Sequence, residues 1–217
     1  MAAIPFAPEP NRSASVSPCF HNPTPFILAS ASPRRREMLT GLGLRFEIEA
    51  AEADERVLPA EAPADFVRRI ARHKAMIVAE RHPETWILAA DTAVVLDGDI
   101  LGKPLDDAEA GLMLRRLSGR QHEVWTGFCL VQTAGDGPRC LAVKTDVHFA
   151  ELSDPIIAAY VRSGDPRDKA GGYGIQSLGG FLVREICGSY SNVVGLPLAE
   201  VLAEMTALGL VEAGGEG

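Results

Sequence analysis

The sequence lacks the patterns that mark a zinc site, a membrane span or a surface for nucleic acid. Its four cysteines show no CxxC or metal spacing, which predicts free thiols in a reducing compartment. No apolar run approaches the ~18 residues of a membrane span. The 29 acidic residues outnumber the 21 basic ones, and the net charge of −8 disfavours duplex nucleic acid as a partner. We therefore predict a cytoplasmic protein that binds neither a membrane nor nucleic acid.

The composition is typical of one globular domain. Hydrophobic residues make up 47% and charged residues 23% of the 217 residues, so the chain can bury a core. Residues 1–24 are rich in Pro, Ala and Ser without a continuous apolar core, which predicts a flexible extension and not a signal peptide. We expect a single domain over residues 25–210 and a flexible tail over residues 211–217.

A strand, a tight turn and a helix start follow one another early in the chain. The apolar run 26–29 predicts a short buried strand, and Ser32 with Pro33 predicts the start of a helix. A helix start presents unpaired N–H groups and a partial positive charge, and the three arginines at 34–36 enter on its first turn. This stretch predicts an anion site, although a capped surface helix with a solvated basic turn explains it equally well.

Two charged residues fall at positions of unusual character. Lys74 lies on the apolar stripe of a helix predicted over residues 64–81, so its ammonium must reach solvent or find a partner. An apolar residue at position 74 would complete the stripe, so we expect such a variant to be as stable as the wild type or more stable. Asp91 ends an apolar strand predicted over residues 86–90, and Lys103 follows the hairpin that comes next. Such a carboxylate and lysine occur together in functional sites and in structural ion pairs.

Several separated motifs, taken together and in this order, make residues 26–208 resemble the Maf family of nucleoside triphosphate pyrophosphatases. The motifs are Leu28-Ala29-Ser30-Ala31-Ser32-Pro33-Arg34-Arg35, Asp54-Glu55, Lys74, Ala90-Asp91-Thr92, Leu101-Gly102-Lys103-Pro104, Asp168-Lys169-Ala170-Gly171, Tyr173-Gly174-Ile175-Gln176 and Ser189-Tyr190-Ser191-Asn192-Val193-Val194-Gly195-Leu196-Pro197-Leu198. The resemblance implies a mixed α/β fold of the Maf/ITPase-like type, with a curved central mixed sheet flanked by helices and a cleft between two lobes, in a homodimer. It also implies hydrolysis of a nucleoside triphosphate to the monophosphate and pyrophosphate, in the service of nucleotide-pool housecleaning.

The resemblance assigns eight residues to catalysis, metal binding or phosphate binding. Asp91 is the predicted proton acceptor, because an aspartate with an unperturbed pKa of ~3.9 is already ionised at neutral pH. Glu55 and Asp91 are the predicted ligands of a divalent cation, Mg²⁺ or Mn²⁺, since such ions take one or two carboxylates plus phosphates and waters. The predicted donors to the triphosphate are Ser30, Arg34, Arg35, Lys74, Lys103 and Lys169.

The resemblance also implies a base preference. Arg34, Thr92 and Gln176 match the family branch that acts on dTTP and UTP, whereas the branch that acts on 7-methyl-GTP has a bulky aromatic residue in place of Arg34. Ser177 departs from the dTTP/UTP branch, which usually has glycine there. Two alternatives stay open: another base such as 7-methyl-GTP, and a nucleotide-binding regulator of septum formation that acts without turnover.

Overall fold

The structure is a computed structural model, and it describes residues 19–135 and 137–214. The helices and strands are β1 Phe20–His21, β2 Phe26–Leu28, α1 Pro33–Gly41, β3 Phe46–Ile48, α2 Pro63–Ala79, β4 Ile87–Leu96, β5 Asp99–Leu101, α3 Asp107–Leu117, β6 Gln121–Val131, β7 Arg139–Phe149, α4 Asp154–Arg162, β8 Val183–Cys187, α5 Tyr190–Val194, α6 Leu198–Ala207 and β9 Glu212–Ala213. Three short 3₁₀ helices lie between α4 and β8, at Asp165–Asp168, Ala170–Gly172 and Leu178–Leu182.

A seven-stranded mixed sheet forms the centre of the fold. Its order is β3-β2-β4-β6-β7-β8, and β5 pairs with β4. β2 runs parallel to both β3 and β4, and the remaining neighbours are antiparallel. The predicted mixed α/β fold, with helices flanking a central mixed sheet, is confirmed. In the described part of the chain, none of the helices has both the length and the apolar character needed to cross a membrane.

The alternation of side chains along β4 shows how the two faces of the sheet are covered. Ile87 and Ala89 pack with residues of α2 on one face. Leu88 packs on the opposite face with residues of α1 and α6, and Val94, further along the same face, packs with residues of α3 and α4. The second face therefore carries two separate apolar clusters, and Thr92 lies between them in the strand.

β4 is longer than predicted, because we expected its first segment to end before Asp91. The structure has a single strand of ten residues that pairs with β6 along nearly its whole length. On its other edge β4 pairs with β2 only at residues 87–88 and with β5 only at residues 94–96. Asp91 therefore lies in the middle of a strand, opposite a gap between two edge partners. Long-range pairing with β6 extends the strand, and no local pattern shows that pairing.

Helix α2 comes unusually close to the sheet at Gly127. A Cβ atom at this position would stand 2.4 Å from the carbonyl carbon and oxygen of Val67, so only glycine fits. Gly127 is the register partner of Asp91 across β4 and β6. Lys74 follows Val67 by seven residues, about two helical turns. The close approach therefore sets Lys74 on the face of the sheet from which Asp91 projects.

The two ends of the described chain are more ordered than we predicted. β1 pairs antiparallel with β9, and Val211 is buried in the cluster that contains α1 and α6. The prediction of flexible ends is therefore wrong for residues 19–24 and 211–214. It failed because backbone pairing between two distant segments leaves no mark on the composition of either. The rest of the two predicted segments, 1–18 and 215–217, lies outside the described residues.

We expect Asn22→Ala to destabilise the domain. The buried Asn22 amide donates to the carbonyl oxygens of Thr24 and Arg45, and its Oδ1 accepts from the Arg45 N–H, each at 2.8 Å. Three lost hydrogen bonds at about 0.5–1.5 kcal/mol each predict a fall of about 2–4 kcal/mol in the free energy of unfolding. Urea denaturation measures it. Thr24→Ala is the control, because only the backbone of Thr24 is used; equal stability of Asn22→Ala and the wild type would contradict the prediction.

The prediction of four free thiols is wrong for one pair. The register of β6 and β7 places Cys129 opposite Cys140, with the Cα atoms 4.1 Å apart, and the structure joins them in a disulfide. Cys19 and Cys187 are free and exposed. The spacing of the two paired cysteines in the sequence gave no sign of a bond, because the strand register alone brings them together.

Candidate active site

A cavity of about 750 Å³ opens beside the gap on the edge of β4. This volume lies within the ~300–1,000 Å³ typical of small-molecule sites. The segments that line it include the turn before α1, the loop that follows β3, helix α2, the centre of β4, the end of the β5 hairpin, the loop that precedes β8 and the end of α5. All ten residues predicted for the site line this one cavity: Ser30, Arg34, Arg35, Glu55, Lys74, Asp91, Thr92, Lys103, Lys169 and Gln176.

The ammonium group of Lys74 lies between two carboxylates. Its Nζ donates to Glu55 Oε1 at 2.6 Å and to Asp91 Oδ1 at 2.8 Å. The side chains of Lys74 and Asp91 are only 12% and 11% exposed, whereas that of Glu55 is 49% exposed. Lys74 therefore leaves the apolar stripe of α2 to form a buried ion pair and does not simply extend to solvent.

The two carboxylates differ in basicity. Burial raises the pKa of Asp91 above its usual value, and the nearby charges of Lys74 and Arg35 only partly offset that rise. Partial burial also pushes the pKa of Glu55 upward, but the hydrogen bond and charge of Lys74 and the charge of Lys103 outweigh it, so its pKa is lowered. Environments that push two carboxyl pKa values apart are typical of a base beside a permanently ionised partner. Asp91 is thus the better proton acceptor of the two.

The carboxylates of Glu55 and Asp91 fit a divalent cation whose remaining ligands come from a substrate and from water. Within residues 19–135 and 137–214 there is no cluster of three or more His, Cys, Asp or Glu that could hold a metal ion. Lys74 contacts one oxygen of each carboxylate and leaves Glu55 Oε2 and Asp91 Oδ2 for other partners. Mg²⁺ takes one or two carboxylates and completes its shell with phosphate oxygens and waters. Glu55 and Asp91 therefore suit a cation that arrives with a phosphorylated ligand.

Arg35 holds several segments of the site together, and its role as a phosphate ligand stays a prediction. Its guanidinium nitrogens donate to four oxygens at 2.7–3.1 Å: Gly195 O, Ser30 Oγ, Ala90 O and Thr92 Oγ1. The residue is only 8% exposed. These bonds use four of the five N–H groups of the guanidinium, so Arg35 holds the turn before α1 against β4 and fills part of the gap on its edge.

The remaining cations differ in how far they are already paired. Lys169 Nζ donates to Asp168 Oδ1 and to the carbonyl oxygen of Asp165, each at 2.6 Å, and Arg34 donates to Asp168 Oδ2 at 3.2 Å. Lys103 is exposed and forms no ion pair or side-chain hydrogen bond with the described residues. Lys103 is therefore the predicted phosphate ligand that is most open to an anion, whereas Asp168 competes with an anion for the other two.

A polar layer beneath the cavity was not predicted. Thr92 Oγ1 contacts Thr126 Oγ1 at 2.9 Å, and Thr126 donates to the carbonyl oxygen of Asn192 at 3.0 Å. Asn192 is fully buried, and its amide donates to the carbonyl of Val124 and the hydroxyl of Thr145. The motif that contains Asn192 therefore supplies two backbone oxygens to the site: that of Asn192 accepts from Thr126, and that of Gly195 accepts from Arg35. Sequence analysis had no role for it, although the alternation along β6 could have placed Thr126 beside Thr92.

Gln176 is exposed at the cavity, and its amide has no hydrogen-bond partner within the part of the chain that the structure describes. The loop that carries it is fastened by Tyr173, whose hydroxyl lies 2.7 Å from His122 Nε2. Both rings are buried, and burial lowers the pKa of His122 to about 4. His122 is thus a neutral structural residue, and the loop presents Gln176 with a free amide.

Fold and cavity together define an α/β protein with a deep site in which cations and one basic carboxylate converge. The fold is similar to that of the Staphylococcus aureus Ham1 protein, with a TM-score of 0.52 and 11% sequence identity over 85% of this chain and 100% of that one. A sequence model described as Maf-like protein matches residues 25–208. The chain therefore belongs to the Maf family.

Three bacterial relatives are each named dTTP/UTP pyrophosphatase. The relative from Geobacter sulfurreducens is 50% identical over 84% of this chain and 96% of its own. The relative from Myxococcus xanthus is 52% identical over 86% of this chain and 94% of its own. The relative from Anaeromyxobacter dehalogenans is 54% identical over 84% of this chain and 93% of its own.

Proposed function

We propose that this protein is a nucleoside triphosphate pyrophosphatase that prefers dTTP and UTP. The observation that carries the proposal is the buried Asp91 carboxylate, with its raised pKa, held by Lys74 in a cavity that also contains Lys103 and Gln176. The shared name of relatives that are 50–54% identical supports the same activity and the same bases.

In the mechanism that we propose, Asp91 activates the attacking water. The carboxylate takes a proton from water while the water oxygen forms a bond to the α-phosphorus of the nucleotide. The bond between that phosphorus and the oxygen bridging to the β-phosphate breaks, and pyrophosphate leaves with its electron pair. The products are the nucleoside monophosphate and pyrophosphate. The raised pKa favours this transfer, because a base works best when its pKa approaches the working pH.

The other groups of the site orient the substrate and balance its charge. The first-turn amides of α1 and the exposed ammonium of Lys103 would bind phosphate oxygens. Lys74 holds Asp91 in place and keeps it ionised, since its charge opposes the effect of burial on the pKa. We further propose that Glu55 and Asp91 hold Mg²⁺ or Mn²⁺, which when bound would neutralise charge on the phosphates. A homodimer stays a prediction.

The amide of Gln176 is the group that we propose reads the base. Thymine and uracil present two carbonyl oxygens that flank one N–H, and a glutamine amide has one acceptor and two donors to match that edge. An unmatched edge leaves polar groups unpaired, which costs about 1–3 kcal/mol each, or a tenfold to hundredfold discrimination. This selection is independent of the chemistry at Asp91.

We therefore expect the wild-type enzyme to cleave dTTP and UTP well and 7-methyl-GTP poorly. Gln176→Ala should lower kcat/KM for dTTP and UTP about tenfold or more while changing that for ATP much less. Pyrophosphate release from dTTP, UTP, CTP, ATP and 7-methyl-GTP, with Mg²⁺ or Mn²⁺, measures both. A uniform loss across the panel would show that Gln176 only supports its loop. Binding without any pyrophosphate release would favour a regulator that acts without turnover.

A further inference from the structure

The carboxylate of Asp165 lies under the loop that carries Gln176 and has no part in the mechanism above. Its side chain is 13% exposed. Asp165 Oδ2 accepts from the hydroxyls of Tyr160 and Ser177, at 2.6 and 2.7 Å, and Oδ1 lies 3.2 Å from Lys169 Nζ. Burial pushes the pKa of Asp165 upward, but these three donors outweigh burial and lower it. A carboxylate so fully engaged is a fixed, ionised anchor.

The anchor reaches both ends of a four-residue segment. At one end the N–H of Gly174 donates to the hydroxyl of Tyr160 at 3.3 Å, and Tyr160 in turn donates to Asp165. At the other end Ser177 donates directly to Asp165 and also contacts the carbonyl oxygen of Gly174 at 3.1 Å. Gln176 lies between these two ends, and its own amide is free of protein partners in the described residues.

The segment has little room to move around this anchor. A Cβ atom on Gly174 would stand 2.6 Å from Lys169 Cε, and one on Gly179 would stand 2.5 Å from the Tyr160 hydroxyl oxygen. The backbone on both sides of Gln176 is therefore seated directly on Lys169 and Tyr160. Polar anchors at its two ends then set the direction in which the Gln176 side chain leaves the loop.

We propose that Asp165 is a positioning residue for base selection, which acts through Ser177 and Tyr160 to aim the Gln176 amide at the base. The inference rests on the proposed function of Gln176. The same anchor extends toward Arg34, because Lys169 contacts both Asp165 and Asp168, and Asp168 pairs with Arg34. Gln176 and Arg34, two residues assigned to base selection, are thus held by connected contacts. Ser177 contributes a hydroxyl to these contacts that glycine would lack.

The test removes, one at a time, the two hydroxyl groups that connect Asp165 to the ends of the segment 174–177. Ser177→Ala and Tyr160→Phe each delete one hydroxyl, and Ser177→Thr keeps the hydroxyl. Ser118→Ala is the matched control, because the Ser118 hydroxyl accepts from the Leu152 N–H at 2.7 Å and forms no hydrogen bond with residues 174–177. For each variant we would measure kcat and KM for dTTP and ATP, the dissociation constants of thymidine and adenosine monophosphates, and the melting temperature.

We expect Ser177→Ala and Tyr160→Phe to reduce the dTTP-to-ATP ratio of kcat/KM about fivefold each, through KM for dTTP, with kcat nearly unchanged. The affinity for thymidine monophosphate should fall in parallel. Ser177→Thr should restore the ratio, and Ser118→Ala should change only the melting temperature. An unchanged ratio in both hydroxyl deletions, or an equal change in Ser118→Ala, would overturn the proposal.

The design separates this inference from the proposed function. If the wild type prefers another triphosphate, the base assignment fails, and the same ratios taken for the preferred nucleotide still test the anchor. If no pyrophosphate is released, the enzymatic proposal fails, and the two monophosphate affinities still show whether loss of the Ser177 hydroxyl changes the choice of base. Asp165→Asn can be added as a further variant. The test does not depend on it, so the proposal stays testable even if Asp165→Asn fails to fold.

Discussion

Asp91→Asn is expected to lower the turnover of dTTP by about 10²–10⁴-fold, the range typical of removing a general base. The fold should survive, because asparagine keeps the shape of the side chain and Lys74 keeps its contact with Glu55. Binding of thymidine monophosphate should also persist, since Gln176 and Lys103 are untouched. Stopped assays of pyrophosphate release, together with calorimetric binding of the monophosphate, measure the two effects separately.

The role of Asp91 as a base can be separated from its role as a metal ligand. Glu55→Gln removes a proposed ligand and leaves the proposed base in place, so more Mg²⁺ or Mn²⁺ should recover part of its activity, whereas Asp91→Asn should stay inactive at any metal concentration. In the wild type, kcat should rise with pH through the pKa of Asp91, which burial raises. Wild-type turnover in Asp91→Asn, or its full recovery with added metal, would exclude Asp91 as the base.

The position of these residues in one site was implied by the resemblance to the Maf family, which rests on several short motifs taken together; each motif alone predicts only its own local geometry. The turn with Ser30 and the helix start at Pro33 formed as expected, and Lys74 was recognised as out of place on its helix. Local patterns could not show how each group is used. Arg35 was predicted as a phosphate ligand because it follows a helix start and carries a fork of donors, and the sequence did not show that Arg35 also donates to backbone oxygens of distant segments.

The same limit explains the errors in the fold. Asp91 was placed at a strand end because the apolar run stops there, but pairing with β6 carries the strand through it. Cys129 and Cys140 were separated in sequence and are neighbours only by register. Asp165 escaped notice since a charged residue beside Gly164 and Pro166 is typical of an exposed loop. Each miss concerns a contact that depends on strand pairing or on the folded path of a loop, which no local sequence pattern shows.

Lys74→Met is expected to destabilise the protein by about 3–5 kcal/mol at pH 8, as is typical when one partner of a buried ion pair is removed. This reverses the expectation from the sequence, in which an apolar residue completes the stripe of α2. The structure explains the reversal, because Asp91 would stay behind, buried and without its main counter-charge. Lys103→Met is the matched control: the same substitution at an exposed and unpaired lysine should leave stability nearly unchanged.

The pH dependence of the stability loss in Lys74→Met tests whether the buried charge of Asp91 causes it. Without Lys74 the pKa of Asp91 in the folded state rises further above its unfolded value, so stability is greatest at low pH and is lost as the pH rises through the folded pKa. The deficit of Lys74→Met against the wild type should therefore be smaller at pH 5 than at pH 8. Adding Asp91→Asn should recover most of it, since no buried charge then remains. Urea denaturation of the two single variants and the double variant measures the interaction, and additive losses would show that Lys74 does not stabilise the fold through its pairing with Asp91.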